Sequence, residues 1–441
     1  MKPHIIIKLH RPLPHSLPYW EEVLTDKRQA PTSLLPEVDR LMAQHHLPFW
    51  ATQNYPSRQK GWTPSEIKNG FPRIYRLVLQ YDRYISPRLL TAIEAIPEVE
   101  SGRSGQIAQI PLPEPQLAQA TALSSPYRQN TMRLREAHQY TKGHPGISIA
   151  VLDTGFELSH PEIRQALLPG KDFVNIIDGT KQFIGDHLEY DDYPEDEVGH
   201  GTHVAGILAG RGIKMPIGVA PRCKILPVKV LGALQRNGSL VGAGLVDNID
   251  NGIKWAVDQG ASIINMSLGL RQSGGGLPHR EVIRYALAKG VTIIAASGND
   301  GRQERYYPGA LPGVIAVGAA DDRGHPAPFS TFGDHISVLA PGVNIYSSFL
   351  RQGYTASSGT SQSTPFVAGA IALLKAFALK LGKPLADRQI KYILKNTADK
   401  ISPRFKDLRA GFGNLNVLDA IKLLQYLLNK NQSYAGSRNA R

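Results

Sequence analysis

The sequence predicts an α/β domain built on a doubly wound, mostly parallel sheet, preceded by a smaller α+β domain. Three observations carry this expectation. The chain has 441 residues, more than the ~250–300 at which one hydrophobic core stops growing, so two folded units are expected. From residue 147 onward, β-branched apolar runs alternate with helical patterns, as in repeated strand–helix–strand units. The part before that has shorter elements in a different order and ends in PLPEPQLAQATALSSP, residues 111–126, which has the Pro-rich, small-residue composition of a linker.

In the first unit, HIIIKLH, PFWATQNY and PRIYRLVLQY read as strands, and LLPEVDRLMAQHH reads as an amphipathic helix. SPRLLTAIEAIPE reads as a second helix, with Ser86 as N-cap and Pro87 in its first position. An extended stretch from Gln106 to Ile110 completes a β-α-β-β-α-β order, the ferredoxin-like arrangement, which buries two helices on one face of an antiparallel sheet. In the second unit, ISIAVLD, KILPVKVL, SIINMSL, VTIIAAS and VIAVGAA are nearly continuous in apolar residues, as strands covered on both faces must be. HVAGILAG, VDNIDNGIKWAVDQG and REVIRYALAKG supply helices between them. The expected boundaries are 1–112 for the first unit, 113–126 for the linker, 127–428 for the second unit and 429–441 for a basic, disordered tail.

The formal net charge is +13, and its distribution matters more than its size. Residues 375–441 carry 14 basic against 4 acidic side chains, whereas residues 126–374 carry 22 of each. A basic end without aromatic interleaving or a reader motif is a solvated face, so neither nucleic acid nor membrane is an expected partner. No apolar run approaches the ~18 residues needed to cross a bilayer, and Ile5 to Leu9 is too short for a signal-peptide core, so a cytoplasmic location is expected. The single cysteine, Cys223, rules out an intrachain disulfide and reads as an inert core thiol.

In parallel sheets flanked by helices, reactive groups collect at the carboxyl ends of strands. Asp153 closes ISIAVLD and opens a turn at Thr154-Gly155. Asp-Thr-Gly is also the signature of aspartic proteases, but those need two facing carboxylates and the motif occurs once. His200 opens HGTHVAGILAG; His200 and His203 could share a metal, but the Glu of a zinc-peptidase helix is missing. Held by a carboxylate, an imidazole is better suited to moving protons near neutral pH. Ser361, in SSGTSQSTPFVAGAIALL, is either a helix cap or a hydroxyl at the positive end of a helix dipole, where a developing oxyanion is stabilised.

Together, VLDTG, HGTHVAG and GTSQSTP resemble the three signatures of the subtilisin-like serine proteases (subtilases, peptidase S8), in that family's order of Asp, His, Ser. GVAP at 218–221, INMSLG at 264–269, AASGN at 295–299 and VLAPG at 338–342 agree with the family as well. The resemblance covers residues 127 to 425. It implies a serine endopeptidase in which Ser361 is the nucleophile, His200 the general base and acid, and Asp153 the group that orients the imidazole. Asn299 is the implied oxyanion donor, and Ser267, Leu268 and Gly269 the implied strand that pairs with polypeptide substrate. Ser297 and Gly298 are further implied substrate-binding residues, and Tyr306 falls at the floor of the implied S1 pocket. The alternative is a subtilase-fold peptide-binding module that has lost turnover.

The departures from the family pattern are informative. Gln362, Ser363 and Phe366 stand where Met, Ala and His are usual. RGIKMPIGVAP lacks the Asn-rich insertion that binds calcium in many relatives. Asp186, Glu189, Asp191 and Glu195, in an acidic loop before His200, are similar to the calcium loop of thermitase-like relatives, although Tyr193 replaces a usual ligand; calcium is the one candidate ion, structural and not needed for chemistry. DGRQERYYPG is bulky where relatives are small, so Tyr306 is expected to narrow the S1 pocket while Asp300 at the rim favours basic side chains. The first unit resembles I9-type inhibitory propeptides, which implies a zymogen whose own N-terminal domain inhibits it and helps it fold, with the linker lying in the cleft.

Overall fold

The computed structural model describes residues 3–25, 28, 30–57, 61–111, 132–174, 183–184, 192–236, 239–272 and 277–438. The first unit runs β1 (His4–Leu9), α1 (Trp20–Thr25), α2 (Pro36–Gln44), β2 (Phe49–Gln53), α3 (Pro64–Asn69), β3 (Ile74–Leu79), α4 (Pro87–Glu94) and β4 (Val99–Ser104). Its four strands form an antiparallel sheet in the order β2-β3-β1-β4. Side chains alternate across the pleat. Ile5, Ile7, Tyr75, Leu77 and Leu79 therefore pack with Val38 and Met42 of α2 and with Leu89 and Ile93 of α4. Ser86 caps α4 as expected, accepting the Leu89 N–H at 3.2 Å. α3 was not anticipated, although its capping box is in the sequence: Thr63 accepts from Glu66 N–H, and the Glu66 carboxylate accepts from Thr63 N–H at 2.7 Å.

One boundary differs from expectation. The sheet's last strand is β4, and the stretch around Gln106 to Ile110 leaves the domain as a further strand, β5 (Ile107–Pro111). Composition hid it: VESGRS carries a glycine and four charged or hydroxylated residues, and it sits in the sheet through its antiparallel pairing with β1.

The second unit continues with α5 (Leu134–Ala137), β6 (Ser148–Asp153), β7 (Lys171–Asp172), β8 (Phe183–Ile184), α6 (His200–Ala209), β9 (Lys224–Lys229), β10 (Gly232–Arg236), β11 (Ser239–Leu245) and α7 (Val246–Asp258). It then runs β12 (Ile263–Met266), α8 (Arg280–Ala288), β13 (Thr292–Ala296), β14 (Ile315–Ala320), β15 (Ile336–Pro341), β16 (Ile345–Phe349), β17 (Gly353–Ser357), α9 (Thr360–Lys380), α10 (Asp387–Thr397) and α11 (Val417–Arg438). Seven strands form a wholly parallel sheet in the order β15-β14-β13-β12-β6-β9-β7. One core, with α6, α9 and α11, covers one face; a second, with α7 and α8, covers the other. α9 is the one helix among the described residues long and apolar enough to cross a bilayer, and it is instead buried in the first core. α11 runs to Arg438, where a disordered tail was expected from residue 429; no proline interrupts it, and Leu424 and Leu428 anchor the preceding turns in the core. The predicted linker, 113–126, lies outside the described residues.

The two units dock through the face of the small sheet that its own helices leave open. Ile6 and Ile74, with Tyr55 and Phe71, join the second core beside Tyr285 of α8. Around them, polar residues of α7 find partners in the first unit: Asp247 binds His4 at 3.0 Å and Arg103, Asn248 accepts from Arg76 at 3.1 Å, and Asn251 accepts from Tyr19 at 3.1 Å. Lys254, buried, is 2.7 Å from buried Glu66. β5 then adds to the edge of β11 in antiparallel register, from Ile107 opposite Leu245 to Pro111 opposite Val241.

Candidate active site

β6 lies inside the parallel sheet, between β12 and β9, and delivers Asp153 to its carboxyl edge, 1% exposed. The chain must turn sharply there and let α6 approach. Gly155 has φ +110°, and a Cβ on it would lie 2.1 Å from the Glu195 carbonyl; a Cβ on Gly201 would lie 2.1 Å from the Gly155 carbonyl. These glycines of DTG and HGTH bring the start of α6 onto the turn. Asp153 Oδ1 consequently accepts from Thr154 N–H at 2.8 Å and meets His200 Nδ1 at 2.6 Å. His200 Nε2, the other ring nitrogen, is buried and makes no hydrogen bond to protein.

A second carboxylate supports this pair. Asp196, buried, accepts from Val198, Gly199 and Thr202 N–H, from the Thr202 hydroxyl at 2.7 Å and from the Thr154 hydroxyl at 2.9 Å. The Thr154 oxygen in turn accepts from Gly201 N–H at 3.0 Å, so Asp196 ties the Asp153 turn to the first turn of α6. Burial raises the Asp196 carboxyl above its ordinary range despite these bonds. Burial also presses His200 downward, but the charge and hydrogen bond of Asp153, aided by Asp196, outweigh it and hold the imidazole above its ordinary value.

Ser361 is the second residue of α9, whose first-turn N–H groups have no intrahelical acceptor. α9 packs directly on α6. The Ser361 hydroxyl donates to the Ser267 carbonyl at 2.9 Å, and the Ser267 hydroxyl donates back to the Ser361 carbonyl at 2.8 Å. No hydrogen bond joins this hydroxyl to His200 Nε2; it rests on Ser267. Asn299 is exposed; its Oδ1 accepts from Thr360 N–H and from the Thr360 hydroxyl, both at 2.9 Å. That fixes which amide atom is oxygen and leaves the NH2 beside Gly359, at the mouth of α9.

The remaining predicted residues divide. Gly269 and Gly298 face Tyr306, which lies across both. Leu268 is buried, and Ser297 is buried with its hydroxyl donating to Thr331 O at 3.0 Å, so these two support the walls from behind. His203 is no partner to His200: its Nε2 bonds the Ile345 and Thr355 carbonyls, and burial drives its pKa down to about 3. Cys223 is buried and its thiol is pushed up to about 11 by burial. Of the calcium candidates, Asp186, Glu189 and Asp191 lie outside the described residues. At Glu195 the fit is poor: its carbonyl accepts from the buried Lys229 ammonium at 2.7 Å, and that ammonium also pairs with Glu197 at 2.5 Å, so a protein cation holds this end of the loop. No cluster of three His, Cys, Asp or Glu suited to a metal occurs among the described residues.

The subtilase-family model matches residues 144–414, more than half of the chain. The chain is a subtilase. It is 37% identical over 290 residues to a thermophilic serine proteinase of Bacillus sp. (strain AK1), covering 65% of this subtilase and 64% of that protein. It is 37% identical over 262 residues to thermitase of Thermoactinomyces vulgaris, covering 58% and 82%. Among solved structures, the prenylagaramide maturation protease PagA superposes with a TM-score of 0.53 at 33% identity, over 66% of this subtilase and 98% of that chain. This subtilase spans 64% and 63% of the first curated relatives it matches. Sequence reasoning missed Asp196, Thr360 and strand β11. For Asp196 a signal existed, an acidic residue four before the histidine; for β11, SLVGAGL looks like a loop until β5 is seen against it.

Proposed function

We propose that this subtilase is a serine endopeptidase that cleaves polypeptides through an acyl-enzyme on Ser361. The 2.6 Å bond between Asp153 and His200 Nδ1 carries the reading, because it holds the imidazole with Nε2 as the basic nitrogen in the cleft where Ser361 begins α9. In the reaction, His200 Nε2 takes the Ser361 hydroxyl proton as Oγ attacks the scissile carbonyl, and Asp153 stabilises the imidazolium. The Asn299 NH2 and the Ser361 N–H receive the oxyanion. The imidazolium then protonates the departing amine, and water, deprotonated by His200, releases the acyl group. A structural calcium ion, as in some subtilases, belongs to this proposal only at Asp186, Glu189 and Asp191, and calcium-dependent melting is its test. Labelling of Ser361 by a fluorophosphonate, lost in Ser361→Ala, tests the main reading. Peptide binding without labelling or turnover would favour the module that has lost turnover.

The first unit is proposed to act as this enzyme's intramolecular inhibitor and folding template. Its docking on α7 and α8 and the seating of β5 on β11 support this, since β5 pairs with the second unit as an added strand, the way an extended peptide binds a sheet edge. Residues 113–441 expressed alone, with residues 1–112 added in trans, test it. Full activity that resists micromolar amounts of the added unit would count against it.

A further inference from the structure

We infer that Tyr306, latched by Arg271 and Asp300, fills the pocket beside the nucleophile and makes the enzyme specific for small P1 residues: glycine, alanine and serine. The inference rests on the peptidase reading and names the substrate it selects.

The acyl carbon must lie about 3 Å from both Ser361 Oγ and the oxyanion donors. The side chain on the residue that carries it then points between the two segments bracketing Ser361, Ser267–Gly269 on one side and Ser297–Asn299 on the other. Each segment offers a glycine to this gap. Two facing glycines would ordinarily leave room for a large side chain. Here the chain supplies its own. A Cβ on Gly298 would lie 2.6 Å from Tyr306 Cδ2 and 2.8 Å from Cε2, and one on Gly269 would lie 3.3 Å from Tyr306 Cβ. The phenol ring thus spans the gap from one glycine to the other.

The ring is held at both ends. At its root, the backbones of Leu270 and Tyr307 exchange hydrogen bonds at 2.9 and 2.8 Å, fixing the neighbouring Tyr306 against the Ser267–Gly269 segment. At its tip, the hydroxyl donates to the Asp300 carboxylate and accepts from Arg271 Nε at 3.0 Å. Arg271 also pairs with Asp300, lies 2.7 Å from Glu304, and has its guanidinium carbon 5.6 Å from the ring centroid. Asp300 is anchored through its own N–H, which donates to the Thr331 hydroxyl at 3.0 Å. Two consequences follow. An aromatic or long P1 side chain fits only if the ring swings out and gives up these contacts. A basic P1 residue gains little from Asp300, because that carboxylate is already shared by Arg271 and Tyr306; the rim preference expected from sequence is withdrawn.

The test is turnover of a tetrapeptide chromogenic series that differs only at P1 (Gly, Ala, Ser, Leu, Phe, Tyr, Lys), using the full chain and any form it matures to, with active sites counted by fluorophosphonate titration. The wild type should favour Ala or Ser over Phe and Tyr by at least tenfold in kcat/KM. Tyr306→Gly should raise Phe and Tyr turnover by tenfold or more, and Arg271→Met, which frees the latch while leaving the ring, should give an intermediate profile. Should Tyr306→Gly fail to fold, Tyr306→Ala and Arg271→Met still decide the matter. A wild type that labels at Ser361 yet prefers Phe or Tyr, or variants with an unchanged P1 profile, would overturn this inference alone. If neither the full chain nor residues 113–441, folded in the presence of residues 1–112, labels or cleaves, the peptidase reading is overturned and this inference with it.

Discussion

Replacing Asp247 by Asn removes one charge from the junction of the small sheet and α7 while nearly keeping the side chain's shape. In the wild type this carboxylate is fully buried, bonded to His4 at 3.0 Å and to Arg103. Burial alone would raise its pKa, but Arg103, His4 and Arg76 outweigh burial and hold it far below the usual carboxylate range. The variant leaves Arg103 and the buried Arg76 without that counter-charge. Breaking a buried pair costs about 3–5 kcal/mol. Arg103 keeps some contact with water, its side chain being 22% exposed, and the amide retains one acceptor. The expected loss is therefore about 2–4 kcal/mol, which at 1.4 kcal/mol per tenfold weakens docking roughly 30- to 1,000-fold. The sign with pH follows from the depressed pKa. Asp247 contributes fully above the ordinary carboxylate value of about 4 and loses its contribution as pH falls through its lower folded value, so wild type and variant converge in strong acid. Hydrogen exchange on the full chain is the assay. Amides shared between β5 and β11 should exchange faster by that factor, while those of β6 and β12 keep their protection. Equal protection of the β5–β11 ladder in both proteins would refute the reasoning.

Three further outcomes are expected. Ser361→Ala and His200→Ala should each cut kcat by orders of magnitude and together cost little more, since each acts only with the other in place; additive losses in the double variant would contradict this. Asp196→Asn removes a negative charge that raises His200, so the acid limb of the kcat/KM profile, which needs neutral imidazole, should move to lower pH, with a fall in kcat as the α6 start loosens; an unmoved limb would assign Asp196 a purely structural part. Gln362→Met should raise Tm by a few degrees, about 1–3 kcal/mol, because both amide atoms of this buried side chain lack protein partners and an apolar chain of similar size leaves none exposed to that penalty; an unchanged or lower Tm on calorimetry would show that the amide is satisfied.

The catalytic strands and their motifs were legible because each is local. A buried parallel strand must be apolar throughout, and a helix brought close to a turn must have glycine at the contact, so ISIAVLD, DTG and HGTH announce their places in a few residues. What could not be read depends on distant partners. Asp247, Asn248, Asn251 and Lys254 look like the wet face of an amphipathic helix until His4, Arg76, Tyr19 and Glu66 are placed against them. Gln106 to Ile110 has the same composition whether it closes its own sheet or joins β11, and only the β1–β4 pairing excludes the former. Tyr306 was placed at the pocket from the sequence, but Arg271, some 35 residues earlier, was needed to know which way the ring would be held.

Ser361, the proposed nucleophile, is not carried on a loop. It belongs to the first turn of α9, a helix that runs through the core from Thr360 to Lys380 and is buried almost to its end. The serine's position is therefore set by the packing of the entire first core, and no hinge lies between the two. Activity then becomes a thermometer for the whole domain: on warming, turnover should keep its full specific value until the tertiary structure melts and then vanish in the same few degrees, with no range in which a folded but slackened site survives.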